Sequence, residues 1–319
     1  MFKVLVTSDL PDSILGKLKA KCIVTKLKHR PTKSQLLKLI VDKDGIVCFV
    51  KIDADIMNAG KKLKVISNNA VGFDNIDVAE ATKRGIAVTN TPGVLSQSVA
   101  EHTFALLAAI SRRLVESDAI TRSEKYNNWK YGFLFGTELK GKTLGIIGMG
   151  RIGSIVAKIA TNGYGMKVVY YNPHRDANSE KHGIKYLPLA QLLKHSDFIS
   201  LHVPLNEKTR HLIGEKQLSM MKPTAFLINT SRGAVIDEKA LVKALQNKTI
   251  VGAALDVFEF EPKLSPGLSK LTNVILTPHA ASATFEARSA MAEMAVENLL
   301  AVLEGGKPLS IVNPEVLLK

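Results

Sequence analysis

The chain has 319 residues, enough for two domains with separate cores, and its 46% hydrophobic and 23% charged residues are the composition of a globular protein. Forty-three Lys and Arg against 29 Asp and Glu leave a formal charge of +14, spread without a basic run or an aromatic-basic interleave, so nucleic-acid and membrane partners are excluded and an anionic small molecule is favoured. Two cysteines, Cys22 and Cys48, exclude a disulfide framework and a zinc cluster, no metal is expected, and neither a membrane span nor a signal peptide is legible in MFKVLVTSDL or beyond it, so a cytoplasmic protein is expected.

Residues 1 to 90 alternate short apolar runs with helical segments: strands at 4–7, 23–26, 45–49, 65–67 and 87–89, helices at 12–20, 33–39, 54–59 and 78–84. This alternation predicts a small parallel sheet with helices on both faces. NTPG at 90–93 ends the unit, and an apolar-periodic stretch over 94–114 predicts one long helix joining two domains. On it Glu101 and His102 have no partner arrangement and read as structural groups, while the polar segment 121–141, with the single tryptophan Trp129, reads as a surface arm or subunit contact.

The alternation resumes with stronger strands at 144–147, 168–171, 198–201, 225–228, 251–255 and 274–276, six in all, as in a doubly wound dinucleotide-binding sheet. Between the first of them and its helix stands TLGIIGMGRIG, in which Gly148, Gly150 and Gly153 fit G-x-G-x-x-G: a tight turn, a close approach to a pyrophosphate, and close packing of helix on strand. A last helix at 286–303 and a short tail would return to the first domain. The boundaries expected are therefore 1–95 with 286–319 for a substrate-binding lid and 96–285 for an inserted cofactor domain.

The second strand of such a domain normally ends in an acid that binds the adenosine ribose, but here YYNPHR places Asn172 there. Asparagine does not repel a 2′-phosphate, and His174 and Arg175 are placed to pair with one, so NADP is preferred to NAD, with NAD still possible. Three polar groups fall just beyond the last three strands, where ligands of open α/β sheets sit: Arg232, Glu261 and His279. Together they suit the reduction of a 2-keto acid. His279 exchanges the proton, Glu261 orients the ring and favours its charged form, and the planar fork of Arg232 holds the carboxylate and polarises the carbonyl.

The chain resembles the D-isomer-specific 2-hydroxyacid dehydrogenase family along nearly its whole length, on VGFDNID at 71–77, GIAVTNTPG at 85–93, SVAEHTFALL at 98–107, ELKGKTLGIIGMGRIG at 138–153, HVPLNEKTRHLI at 202–213, INTSRGAVIDEKAL at 228–241, GAALDVFEFEP at 252–262 and TPHAAS at 277–282. The resemblance implies a Rossmann-type doubly wound domain inserted in a smaller flavodoxin-like α/β domain, with Arg232, Glu261 and His279 as the catalytic set. It implies Arg151 and Ile152 on the pyrophosphate, Val203, Pro204 and Thr209 on the adenine side, and Thr230 and Asp256 at the nicotinamide end. For the substrate it implies the Val71 and Gly72 N–H groups, with Phe49 on the lid strand; a homodimer is implied too, with Trp129 and its neighbours as contact.

Two departures refine this. Asn172 replaces the aspartate of NAD-using members, as in NADP-using glyoxylate and hydroxypyruvate reductases. The stretch 45–50 also lacks the arginine that phosphoglycerate-oxidising members use for the phosphate, although Lys51 is adjacent. The expected activity is reduction of a small 2-keto acid by NAD(P)H, glyoxylate or hydroxypyruvate first. A 2-ketogluconate reductase, a phosphoglycerate dehydrogenase and a nucleotide-sensing corepressor or scaffold are the alternatives.

Overall fold

The computed structural model describes residues 1–124 and 131–318, so Trp129 lies outside the described residues. The chain forms two compact units, Met1–Leu95 with Ala283–Lys319, and Ser96–Ser282. The division falls slightly before the 285/286 boundary read from the sequence.

The first unit is built on five parallel strands, β1 (Phe2–Val6), β2 (Cys22–Lys26), β3 (Gly45–Cys48), β4 (Val65–Asn68) and β5 (Ala87–Thr89), in the order β2-β1-β3-β4-β5. β3, β4 and β5 are buried along their whole length, which is why they read as continuous rather than alternating apolar runs. The helix Phe285–Leu303 covers one face, packing Ala292, Ala295, Val296 and Leu299 with Val4, Val47 and Val65. A side chain at Gly45 would meet Leu299 at 3.2 Å and Val65 at 3.0 Å, so glycine sets how near that helix comes. The other face carries Leu36, Ile40, Ile56 and Met57 against Leu5, Ile46 and Ile66.

The second unit holds seven parallel strands, β6 (Thr143–Ile147), β7 (Lys167–Tyr171), β8 (Lys185–Tyr186), β9 (Phe198–Leu201), β10 (Phe226–Asn229), β11 (Gly252–Leu255) and β12 (Val274–Leu276), in the order β12-β11-β10-β9-β6-β7-β8. The strand missing from the six expected is β8, two residues paired to Val169 and Tyr170 and too short to carry a hydrophobic pattern. The order reverses at β6, and this switch point is where α/β sheets bind ligands.

The helix expected over 94–114 is Ser96–Ser111, and a second helix, Leu114–Arg122, begins where that stretch ends. Arg113 takes a left-handed φ of 53° between them, and the Ser111 carbonyl accepts from the Thr137 N–H at 2.7 Å. Among the described residues no helix is long and apolar enough to cross a membrane.

Candidate active site

The glycine turn follows β6 directly. Gly148 has φ 101°, and a Cβ there would lie 2.6 Å from the His202 carbonyl oxygen beyond β9. A Cβ at Gly153 would collide with the Gly148 carbonyl oxygen, whereas one at Gly150 would meet nothing within 4 Å. The three glycines thus have separate duties: the first turns the chain, the third lets the helix Arg151–Tyr164 touch the strand, and the middle one leaves a gap before the helix. Gly150 brings no side-chain cap, so the first N–H groups, those of Arg151, Ile152 and Gly153, are left for an anion, and this open cradle fits the pyrophosphate of a dinucleotide.

Asn172, at the end of β7, accepts from the Met149 N–H through Oδ1 at 2.7 Å. Its carbonyl is spent on the turn and its NH₂ remains as a donor, a polarity that suits a phosphate. Arg175 makes two bonds to Glu180 (2.8 and 2.7 Å) and lies over the Tyr186 ring, while His174 is exposed. Both partners of the Arg175 pair are accessible to water, so the pair is weak and its guanidinium exchangeable. On the opposite side of β6, Val203 packs at the Gly148 turn, and the Thr209 hydroxyl donates to the Pro204 carbonyl at 2.6 Å, closing the loop after β9.

Arg232, Glu261 and His279 follow β10, β11 and β12, which are neighbours in the sheet. Asn229 fixes the first of these loops, accepting from the Ser231 N–H (3.0 Å) and hydroxyl (2.8 Å) and donating to the Arg232 carbonyl at 2.9 Å. A side chain at Gly233 would overlap the Phe258 backbone, so glycine there lets the Arg232 and Glu261 loops cross in contact. The Glu261 carboxylate accepts from the Phe258 N–H at 2.9 Å and meets His279 Nδ1 at 3.0 Å. Burial works to raise the Glu261 pKa, but the bonds from His279 and the Phe258 N–H, with the charges of His279 and Arg232, hold it below the usual carboxylate range. An ionised carboxylate only accepts, so Nδ1 carries the hydrogen and Nε2 is the ring nitrogen turned away from Glu261. His202, by contrast, is pushed down to about 4 by burial and stays neutral.

His279 adopts φ 54°, and its N–H donates to the Asp256 carbonyl at 2.8 Å. Asp256 itself is fully buried, and its carboxylate accepts from the Ala280 and Ala281 N–H groups (2.8 Å each) and from the Thr277 hydroxyl at 2.6 Å. Its principal visible work is therefore to hold the loop that presents His279. Against the cost of burial, these bonds and one from His102 keep its pKa low. His102 Nε2 lies 3.2 Å from Thr277 Oγ1 and 3.4 Å from Asp256 Oδ1; since the Thr277 proton goes to Asp256, His102 is the donor. The absence of a partner for His102, expected from sequence, is corrected here: the partner lies far along the chain.

Two further roles escaped the sequence. Thr103 donates to the Val99 carbonyl, so the Thr230 hydroxyl must donate to Thr103 at 2.7 Å. Buried Glu238 accepts from the backbone N–H groups of Glu259 and Ser265, tying down both sides of the Glu261 loop. No spacing announces either, because each joins residues brought together only by folding.

In the first unit, the Val71 and Gly72 carbonyls accept from Asn90 (2.8 Å) and Asn68 (2.7 Å), while their N–H groups are without a protein partner among the described residues. Phe49 stands 41% exposed just beyond β3.

A doubly wound sheet with an open glycine cradle and an Arg, Glu and His set on adjacent strand ends defines a nicotinamide-dependent oxidoreductase. The family model for the D-isomer specific 2-hydroxyacid dehydrogenase NAD binding domain matches residues 104–281, and the chain belongs to that family, whose members act on CH–OH groups. It is 49% identical to a glyoxylate reductase of Korarchaeum cryptofilum over 99% of this chain and 97% of that one. It is 48% identical to a glyoxylate reductase of Thermococcus litoralis, covering 99% and 98%. The NADPH-dependent glyoxylate/hydroxypyruvate reductase of Sinorhizobium meliloti, solved with NADP and malonate, superposes with a TM-score of 0.86 at 33% identity, covering 97% and 96%.

Proposed function

We propose that the chain reduces glyoxylate, and hydroxypyruvate beside it, with NADPH preferred to NADH. The observation that carries the reading is the His279–Glu261 pair at 3.0 Å beside Arg232, an acid-base group oriented next to a carboxylate anchor. Support for the substrate comes from the identity of nearly half along the full length to glyoxylate reductases. Support for NADPH comes from Asn172, which offers a phosphate a donor and no negative charge.

In this reading Ser96–Ser282 holds the dinucleotide, with Gly148 to Gly153 on the pyrophosphate, and Val71, Gly72 and Phe49 of the first unit recognise the substrate. The bound nicotinamide supplies a hydride to the keto carbon in reduction and accepts one in the reverse oxidation of a D-2-hydroxy acid. Arg232 holds the carboxylate and polarises the keto oxygen, and His279 gives that oxygen a proton from Nε2 while Glu261 keeps Nδ1 engaged. The working form is a homodimer in the cytoplasm, and sedimentation at twice the chain mass is expected.

Initial rates test the whole reading: NADPH and NADH are each paired with glyoxylate, hydroxypyruvate, pyruvate, 2-ketogluconate and phosphohydroxypyruvate. Glyoxylate with NADPH should give the highest kcat/KM; a requirement for the phosphorylated substrate overturns the substrate, and equal rates with both cofactors overturn the Asn172 argument. His279→Ala should lower turnover by ~10²–10⁴ with cofactor affinity nearly unchanged, and full turnover would remove the assignment.

A further inference from the structure

The first unit has a cavity of about 740 Å³ at the carboxyl ends of β1 to β4, whose lining includes Phe49 but none of Arg232, Glu261, His279 or the glycine cradle. The strand order of this sheet, β2-β1-β3-β4-β5, reverses between β1 and β3, and the cavity opens at that switch point, beneath the loop Thr7–Pro11. Sheets of this order bind ligands there.

The lining is chemically directed. Lys28, Arg30 and Arg288 face one carboxylate, Asp9, and among the described residues none of these three cations is in an ion pair. Three unneutralised cations at one opening favour a multiply charged anion. Deeper in, Asn69 is 6% exposed and its Oδ1 is buried without a partner, as is the hydroxyl oxygen of Ser8. A buried polar atom left unpaired costs about 1–3 kcal/mol, so these two atoms are a second, independent mark of a ligand; the Asn69 oxygen only accepts and asks for a group that donates, whereas the Ser8 hydroxyl can also donate. A fully ionised anion does not satisfy the Asn69 oxygen; an anion carrying hydroxyls satisfies both. Leu10, Pro11 and Leu27 complete an apolar wall of the kind that packs on a carbon skeleton. The volume is far beyond a two-carbon keto acid and falls in the range of ligand pockets.

We infer that this pocket binds a phosphorylated polyol of about hexose phosphate size, its phosphate on Lys28, Arg30 and Arg288 and its hydroxyls on Ser8 and Asn69. The site uses neither the cofactor cradle nor the Arg232, Glu261 and His279 set and shares only Phe49 with the residues proposed for the substrate, so binding measured without cofactor or keto acid tests it separately from the proposed reductase activity. The multiple charge selects phosphate monoesters over monocarboxylates, and the buried acceptors select polyols over bare phosphate.

Calorimetric titration of the full-length protein with glucose 6-phosphate, inorganic phosphate and glucose tests this. Glucose 6-phosphate should bind at least tenfold more tightly than either fragment of it, and more weakly as salt rises. The double variant Lys28→Ala, Arg30→Ala should weaken that binding at least tenfold. Asn69→Asp, isosteric and adding a negative charge, should weaken it as well, while Arg175→Ala in the other unit leaves it unchanged. Three results overturn the inference: no binding at millimolar ligand, inorganic phosphate binding as tightly as the ester, or loss with Arg175→Ala and none with the Lys28, Arg30 variant, which would place the ligand in the second unit. Because Lys28 and Arg30 are exposed, both substitutions are compatible with folding, and an unchanged thermal midpoint confirms that loss of binding is local.

Discussion

Asp256 shows how one buried carboxylate can govern a reactive loop without touching the reaction. It satisfies the N–H groups of Ala280 and Ala281 and the Thr277 hydroxyl, and its own carbonyl receives the His279 N–H. Removing the charge leaves those donors buried and underpaired, so Asp256→Asn should destabilise the protein by about 2–4 kcal/mol at neutral pH. The folded pKa lies below the ordinary 3.8. A depressed carboxylate stabilises fully above its unfolded pKa and loses that contribution as pH falls through the folded value. The gap between native and variant should accordingly be constant from neutral pH down to about 5, then narrow below about 3.8, in urea unfolding followed as a function of pH. A gap that does not change with pH would mean that packing, not charge, makes the difference. In the sequence Asp256 is one acid after a strand, and only the family resemblance implies a place for it at the nicotinamide end. The His102 that completes its set lies on a helix with nothing around it in sequence to mark a partner.

At the scale of elements, the glycine turn separates two costs that a sequence pattern merges. A methyl at Gly153 has no room against the Gly148 carbonyl, whereas one at Gly150 faces open space. Gly153→Ala should therefore lower the thermal midpoint, at a cost of about 1–3 kcal/mol for forced overpacking, and weaken NADPH as a consequence. Gly150→Ala should leave the midpoint within a degree or two while weakening NADPH at least tenfold, because only the ligand's approach is blocked. Fluorescence titration and thermal unfolding on the two variants read both effects. If Gly150→Ala binds normally, the cradle is not where the pyrophosphate lies. Most strands and this turn were legible because each is an apolar run bounded by turn residues. What was not legible had no local pattern. β8 is two residues long, and the helix Leu114–Arg122 buries none of its residues, so it carries no apolar stripe to read. Glu238 reads as an ordinary first-turn acid of its helix until the loop it holds is seen.

For the whole molecule, the decisive fact is which stretches share a core. The two clusters of the second unit draw only on residues between Ala100 and Leu276, so Ser96–Ser282 is contiguous and self-contained. The first unit is stitched from both ends of the chain. Val296, Leu299 and Leu303 complete its core, Ser67 donates to the Ala295 carbonyl at 2.7 Å, and Asn313 Oδ1 accepts from the Val88 N–H at 2.7 Å. Burying three large aliphatic side chains is worth roughly 5–9 kcal/mol, as much as the whole stability of a small domain. A fragment of residues 1–95 should therefore fail to fold, while a fragment of residues 96–282 should unfold cooperatively in urea and retain NADPH binding. Adding 283–319 in trans to 1–95 should restore part of its structure, since the helix Phe285–Leu303 supplies the missing face. Circular dichroism of the three preparations decides it. A cooperative transition in 1–95 alone would show that the sheet with its own helices Asp12–Lys21, Lys33–Leu39, Ala54–Ala59 and Val78–Lys83 already outweighs the conformational entropy of ordering it. The final helix would then be a cover added to a folded unit, rather than part of what folds it.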